Sequence, residues 1–162
     1  MAAANWLVLG LGNPLADADG FGPAVVDALR VSPDLPDGGE LIDVHTDLLN
    51  YIDRLVGRDC VVLVDAMLSA SSPGVVVFDE ETFSTWEQRS TGVHGMSALA
   101  AVKLFRRLYQ PADAPPFARP RIALVAYLVH ETDFSRPLAP EVIRAGAEAV
   151  RAVLTRARRE RP

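Results

Sequence analysis

The chain has 162 residues, 49% of them hydrophobic and 23% charged, with a formal net charge of −5. A compact chain of that size buries roughly 68–70% of its unfolded surface, so one domain over residues 1–162 is expected and global disorder is disfavoured. The acidic average surface repels a phosphate backbone and argues against nucleic-acid binding, while a lone cysteine excludes an intrachain disulfide and a cysteine-rich zinc site.

The N-terminus lacks a basic region and a long apolar run, and no segment is apolar enough to cross a bilayer. A cytoplasmic protein without a membrane partner is the expectation. Trp6-Leu7-Val8-Leu9 is a short apolar run that ends in Gly10-Leu11-Gly12-Asn13-Pro14, a buried strand entering a tight loop. A helix is expected from Gly22-Pro23, where proline suits the first turn, and Phe21, Val25 and Leu29 cover one face. Glu40 to Val44 reads as a second strand, and Asp47 to Leu55 as a short helix with Leu48, Ile52 and Leu55 on one side.

Cys60 to Val64 is apolar at every position, the pattern of a parallel strand covered on both faces, and its setting makes Cys60 a buried thiol. Val75 to Phe78 follows the turn beginning at Ser71 and reads as a fourth strand. Glu80 to Ser90 reads as a surface loop packed down by Phe83 and Trp86, with the wall of a binding site as the alternative. A helix is expected from Met96 with Ala101, Leu104, Phe105 and Leu108 on one face, then a proline-rich connector over residues 111–120. Ile122 to Leu128 is a fifth strand, and Pro140 to about Arg159 a long terminal helix. The positive charge of Arg156, Arg158, Arg159 and Arg161 complements the dipole of that helix. Strands alternating with helices predict a three-layer α/β fold, with a mainly parallel or mixed twisted sheet of about five strands between helices.

The turn Gly10-Leu11-Gly12 invites comparison with a dinucleotide fingerprint, and Asp43 ends a later strand where a ribose-binding acid can sit. Leu15 holds the place of the third small residue, and Asp17 and Asp19 occupy the loop where a pyrophosphate needs positive potential. Two carboxylates there favour a cation, or a protonated acid, over a phosphate. Asp65 directly follows the third apolar strand, Asp19 lies beyond the first, and His94 sits just before a helix. If the first and third strands are neighbours, both acids converge on one crevice. Such an oxygen, oxygen and nitrogen set can hold a divalent transition metal with open coordination positions. Simpler roles remain open: an Asx turn or helix cap for Asp19, a cap for Asp65, a turn hydrogen bond for His94. His45 and His130 compete as ligands, and Glu131 and Asp133 add further carboxylates.

At these positions the chain resembles the nickel–iron hydrogenase maturation endopeptidases. Gly10-Leu11-Gly12-Asn13-Pro14-Leu15 with Asp19, Gly20 and Gly22 matches that family's first motif, Cys60 through Ala66 the second, and His94 opening an apolar helix the third. The resemblance implies a phosphorylase/hydrolase-like fold and a hydrolase that removes a C-terminal extension from a hydrogenase large-subunit precursor after nickel insertion. It implies Asp19, Asp65 and His94 as the catalytic, metal-contacting set, and nickel presented by the substrate in place of a permanently bound cofactor. A non-cleaving, nickel-dependent precursor-binding or chaperone-like module is the alternative.

Three departures mark this chain. Ala18 stands where the family often pairs an acid with the one at Asp19. Asp43-Val44-His45-Thr46 replaces a common Asp-Gly-Gly-Thr, and Tyr127 to Glu131 lacks a glycine-rich form. Ser97 lies close to His94, but no nucleophile elbow supports a serine route.

Overall fold

A computed structural model describes residues 5–70, 72–86, 98–110 and 119–160. His94, Met96 and Ser97, the turn residue Ser71, Arg161 and most of the proline connector lie outside the described residues. Five strands form one sheet in the order β2-β1-β3-β5-β4: β1 (Trp6–Leu11), β2 (Glu40–His45), β3 (Cys60–Leu68), β4 (Gly74–Asp79) and β5 (Arg121–Val129). The first three and β5 run parallel, while β4 pairs antiparallel with β5. The mainly parallel, five-stranded α/β architecture is the one the alternating pattern predicts.

Both faces of the sheet are covered, which is why β1 and the first half of β3 are apolar at every position. Side chains alternate between faces. Val8, Val62, Val64 and Val125 pack against α1 (Phe21–Arg30) and α4 (Pro140–Arg159), which supply Phe21, Val25, Val150 and Leu154. Leu7, Leu9, Leu63 and Leu124 face the other way. There they meet Ile52 and Leu55 of the 3-10 segment Leu48–Leu55, Phe83 of α2 (Glu80–Trp86), and Leu99, Val102 and Phe105 of α3 (Ala98–Tyr109). Each fully buried Leu, Val or Phe contributes about 1.5–3 kcal/mol of hydrophobic stabilisation.

Several sequence expectations change. The stretch from Glu80 is a helix as far as Trp86, not a loop: the Asp79 carboxylate accepts the Thr82 N–H at 2.8 Å, closing the first turn, and buried Phe83 pins it to the core. The apolar face of α3 is carried by Ala98, Leu99, Ala101, Val102 and Phe105, whereas Leu108 is 61% exposed. The central strand β3 continues to Leu68, so Asp65 is inside it. The basic turn of α4 is as expected, with Arg156 bonded to Glu160 at 2.7 Å. Among the described residues, no helix is long and apolar enough to cross a membrane.

Candidate functional site

The chain leaves β1 through α1, on one face, to reach β2; it leaves β2 through the 3-10 segment on the opposite face to reach β3 on the far side of β1. Connections that diverge in this way open a crevice at the carboxyl ends of β1 and β3. The register makes the crevice concrete. Pairing between β1 and β3 runs from Trp6 and Cys60 to Gly10 and Val64 and stops there, while β3 continues against β5 from Asp65 and Ala126 to Leu68 and Val129. Asp65 is therefore the first residue of β3 beyond its pairing with β1. Burial changes at the same point: Cys60 to Val64 are buried, Asp65 to Leu68 half-buried. By alternation Asp65 faces the side of the sheet carrying Leu63 and α3.

The loop after β1 is folded around Asp19. Gly12 has φ +120° and gives its N–H to the His45 carbonyl at 2.7 Å; a Cβ there would overlap the Asp19 carbonyl. Asn13 caps its own turn, its Oδ1 accepting the Leu15 N–H at 2.9 Å. Ala16 N–H donates to Asn13 O and Asp19 N–H to Ala16 O. The Asp19 carboxylate accepts the Asn13 N–H at 2.9 Å, although the side chain is only 2% exposed. A carboxylate out of water needs such a donor. Helix α1 has no side-chain cap, so capping is not the role of Asp19. The start of α1 that follows the loop lies close against β1 and β3, since a Cβ on Gly22 would come 2.5 Å from the Val64 carbonyl oxygen. Ala18 N–H reaches the Phe134 carbonyl, which ties the loop to the segment after β5.

Asp19, in the loop beyond β1, and Asp65, where β3 outruns its pairing with β1, thus lie toward the same edge of neighbouring strands. His94 cannot be added to that geometry, since it lies outside the described residues; in sequence it precedes Ala98, the first residue of α3, by four positions. Near the other end of α3, Arg106 bonds Glu80 at 3.0 Å and the Pro120 carbonyl at 2.9 Å. Glu80 follows the β4 residue paired with Ala123, and Pro120 precedes β5, so both mark the amino edge of the sheet. Helix α3 consequently starts toward the carboxyl edge.

The competing histidines are also at this edge. His130 follows β5, and its carbonyl accepts the Asp133 N–H at 2.9 Å. His45 ends β2 in the left-handed region, φ +52°, and Asp17 is left-handed at φ +43°. Such a conformation costs a residue with a Cβ about 1–2 kcal/mol. The Asp43 carboxylate accepts the His45 N–H at 3.1 Å and lies 3.6 Å from its Nδ1. Among the described residues, no three His, Cys, Asp or Glu side chains gather as a metal-holding group. Sequence reasoning missed Asn13 as the donor to Asp19 and the left-handed turn at His45; the Asn-Pro pair was the available signal for the first.

The geometry argues against two alternatives. In a dinucleotide site the helix N-terminus follows the glycine turn directly; here Pro14 to Gly20 intervene before α1 and enclose a carboxylate. Cys60 is buried at the amino end of β3, opposite the crevice, and burial pushes its thiol up to about 11, both of which disfavour a thiolate nucleophile there.

No family model matches the sequence. The chain is 34% identical over 126 residues to the hydrogenase expression/formation protein HupM of Azotobacter chroococcum mcd 1, covering 70% of this chain and 60% of that protein. It spans about half to three fifths of the length of the curated relatives it matches. Among solved structures, an Escherichia coli endopeptidase superposes with a TM-score of 0.75 at 26% identity, covering 94% of this chain and 93% of that one. The nickel–iron hydrogenase maturation protease HybD of Thermococcus kodakarensis gives 0.67 at 25% identity, covering 94% and 97%.

Proposed function

We propose that this chain, a member of the nickel–iron hydrogenase maturation protease family, is a cytoplasmic endopeptidase that removes a C-terminal extension from a nickel-loaded hydrogenase large-subunit precursor. The observation that carries the reading is the placement of two carboxylates toward the carboxyl edge of adjacent strands: Asp19 in the loop after β1 and Asp65 just past the end of the β1–β3 pairing. The nickel belongs to the substrate. Asp19, Asp65 and His94 complete its coordination, oxygen and imidazole donors suiting that ion.

Holding the ion fixes the precursor, and with it the scissile peptide, against the crevice. Water then adds to the peptide carbonyl carbon, the carbon–nitrogen bond breaks, and the departing amine takes the proton that water loses. The rigid loop around Asp19 keeps one donor in place before substrate arrives, so little ordering is left for binding.

The test is incubation of the chain with nickel-loaded precursor and measurement of intact masses. Shortening of the precursor is expected, slowed about 100-fold or more in Asp19→Asn, Asp65→Asn and His94→Ala. Stable binding with unchanged mass would instead identify a non-cleaving precursor-binding module, and neither binding nor cutting would refute the assignment.

A further inference from the structure

His45 is exposed, 60% at the side chain, and sits in a backbone conformation that glycine adopts freely. Its main chain is fixed from two directions, the carbonyl by Gly12 N–H and the N–H by Asp43. The ring therefore adds nothing to the core while occupying a strained, rigidly held position at the crevice. Strained residues of this kind cluster at active sites and ligand clamps. Nδ1 lies on the Asp43 side of the ring, 3.6 Å from that carboxylate, so Nε2 is the nitrogen on the edge away from Asp43.

The sheet sets the distance this ring spans. His45 ends β2, Asp65 lies on β3, and β1 runs between them. Two strand spacings amount to about 10 Å, which an extended polypeptide covers in roughly three residues. We propose that His45 is a specificity-determining contact for the precursor, bonding through Nε2 a main-chain group about three residues from the position held at Asp19 and Asp65. The proposal rests on the precursor-processing reading above. Asp43 acts through His45 as a positioning residue.

The test compares the intact chain with His45→Gly and His45→Gln on nickel-loaded precursor, measuring binding, cleavage and thermal midpoint. His45→Gly relieves the left-handed strain, so its midpoint should not fall. Its KM for cleavage and its Kd for the precursor should each rise about tenfold while kcat stays within about twofold. His45→Gln, which keeps a polar group at the rim, should recover part of the binding. Asp43→Asn should weaken binding only when His45 is present. Unchanged KM and Kd in a wild-type background that cuts would overturn the proposal and leave the processing function standing. Absence of both binding and cutting by the wild type would remove both.

Discussion

At the amino edge of the sheet charged side chains are matched with one another: Glu40 accepts from Arg54 and from Arg58, Glu80 from Arg106, and Glu160 from Arg121. Asp59 takes the Asn5 N–H, and Trp6 Nε1–H is closed by the Pro36 carbonyl. At the carboxyl edge the carboxylates of Asp19 and Asp43 are instead held by main-chain N–H groups, and two residues there adopt left-handed backbone. Both edges obey the rule that buried or half-buried polar groups find partners. They differ in the mix of partners: Arg–Glu pairs of long side chains gather at the amino edge, where Asp59 and Asp79 also take main-chain N–H groups, and the loop carboxylates beside the crevice rely on main chain. Exposed long side chains pairing with one another add modest stability and little precision, whereas bonds to main chain fix a carboxylate where a substrate must find it.

The contrast breaks most severely where the loop from β1 enters α1, at the second residue of that helix. Gly22→Ala would place a methyl group against backbone atoms of Leu11 and Val64, none of which can swing aside as a side chain can. Stability should fall by about 3 kcal/mol in urea unfolding; a loss under about 1 kcal/mol would mean that the two strand ends are not rigidly joined to the loop. Asp19→Ala is expected to cost about 1–2 kcal/mol, because the Asn13 N–H loses its acceptor in a buried loop. A gain in stability there would show that the carboxylate is a burden on the fold.

At the amino edge the effect should be smaller. Glu40→Gln removes charge from a pair of partly exposed contacts, and about 0.5–1 kcal/mol is expected at neutral pH and low salt. Hydrogen bonding from Arg54 comes first among the causes that hold the Glu40 carboxyl below its ordinary value of 4.5. The sign follows: the contribution is complete above that ordinary value and disappears as pH falls through the lower, folded one. The stability difference between the wild type and Glu40→Gln should therefore be flat near neutrality and shrink only in acid. A difference that widened on acidification would reverse the assignment.

Much of the fold was legible because local composition and burial agree. The apolar runs at Trp6 and Cys60 name strands covered on both sides, and Pro140 opens a helix whose last turn collects arginines. Where two elements read alike locally, the sequence misled. Glu80 to Trp86 is polar, and only the burial of Phe83 and the Asp79 bond to Thr82 N–H separate a short helix from a loop. Leu104 and Leu108 fit helical spacing as well as Leu99 and Val102 do; packing against the sheet chose the latter pair for the buried core. Asp65 reads as the end of a strand because a charge follows five apolar residues, yet β5 keeps pairing with β3 for three residues more.

The sequence by itself determined that two acids follow two apolar strands, and that the glycine turn carries carboxylates unsuited to a phosphate. That much is chemistry of residue type and order. Only the tertiary structure decided that β1 and β3 are neighbours, that β1 stops pairing where Asp65 begins, and that the loop closes its Asn13 N–H on Asp19. Strand adjacency is set by which faces the crossovers can cover, and the reach of each strand by what pairs beside it. Those are long-range facts, and no local window of the chain contains them.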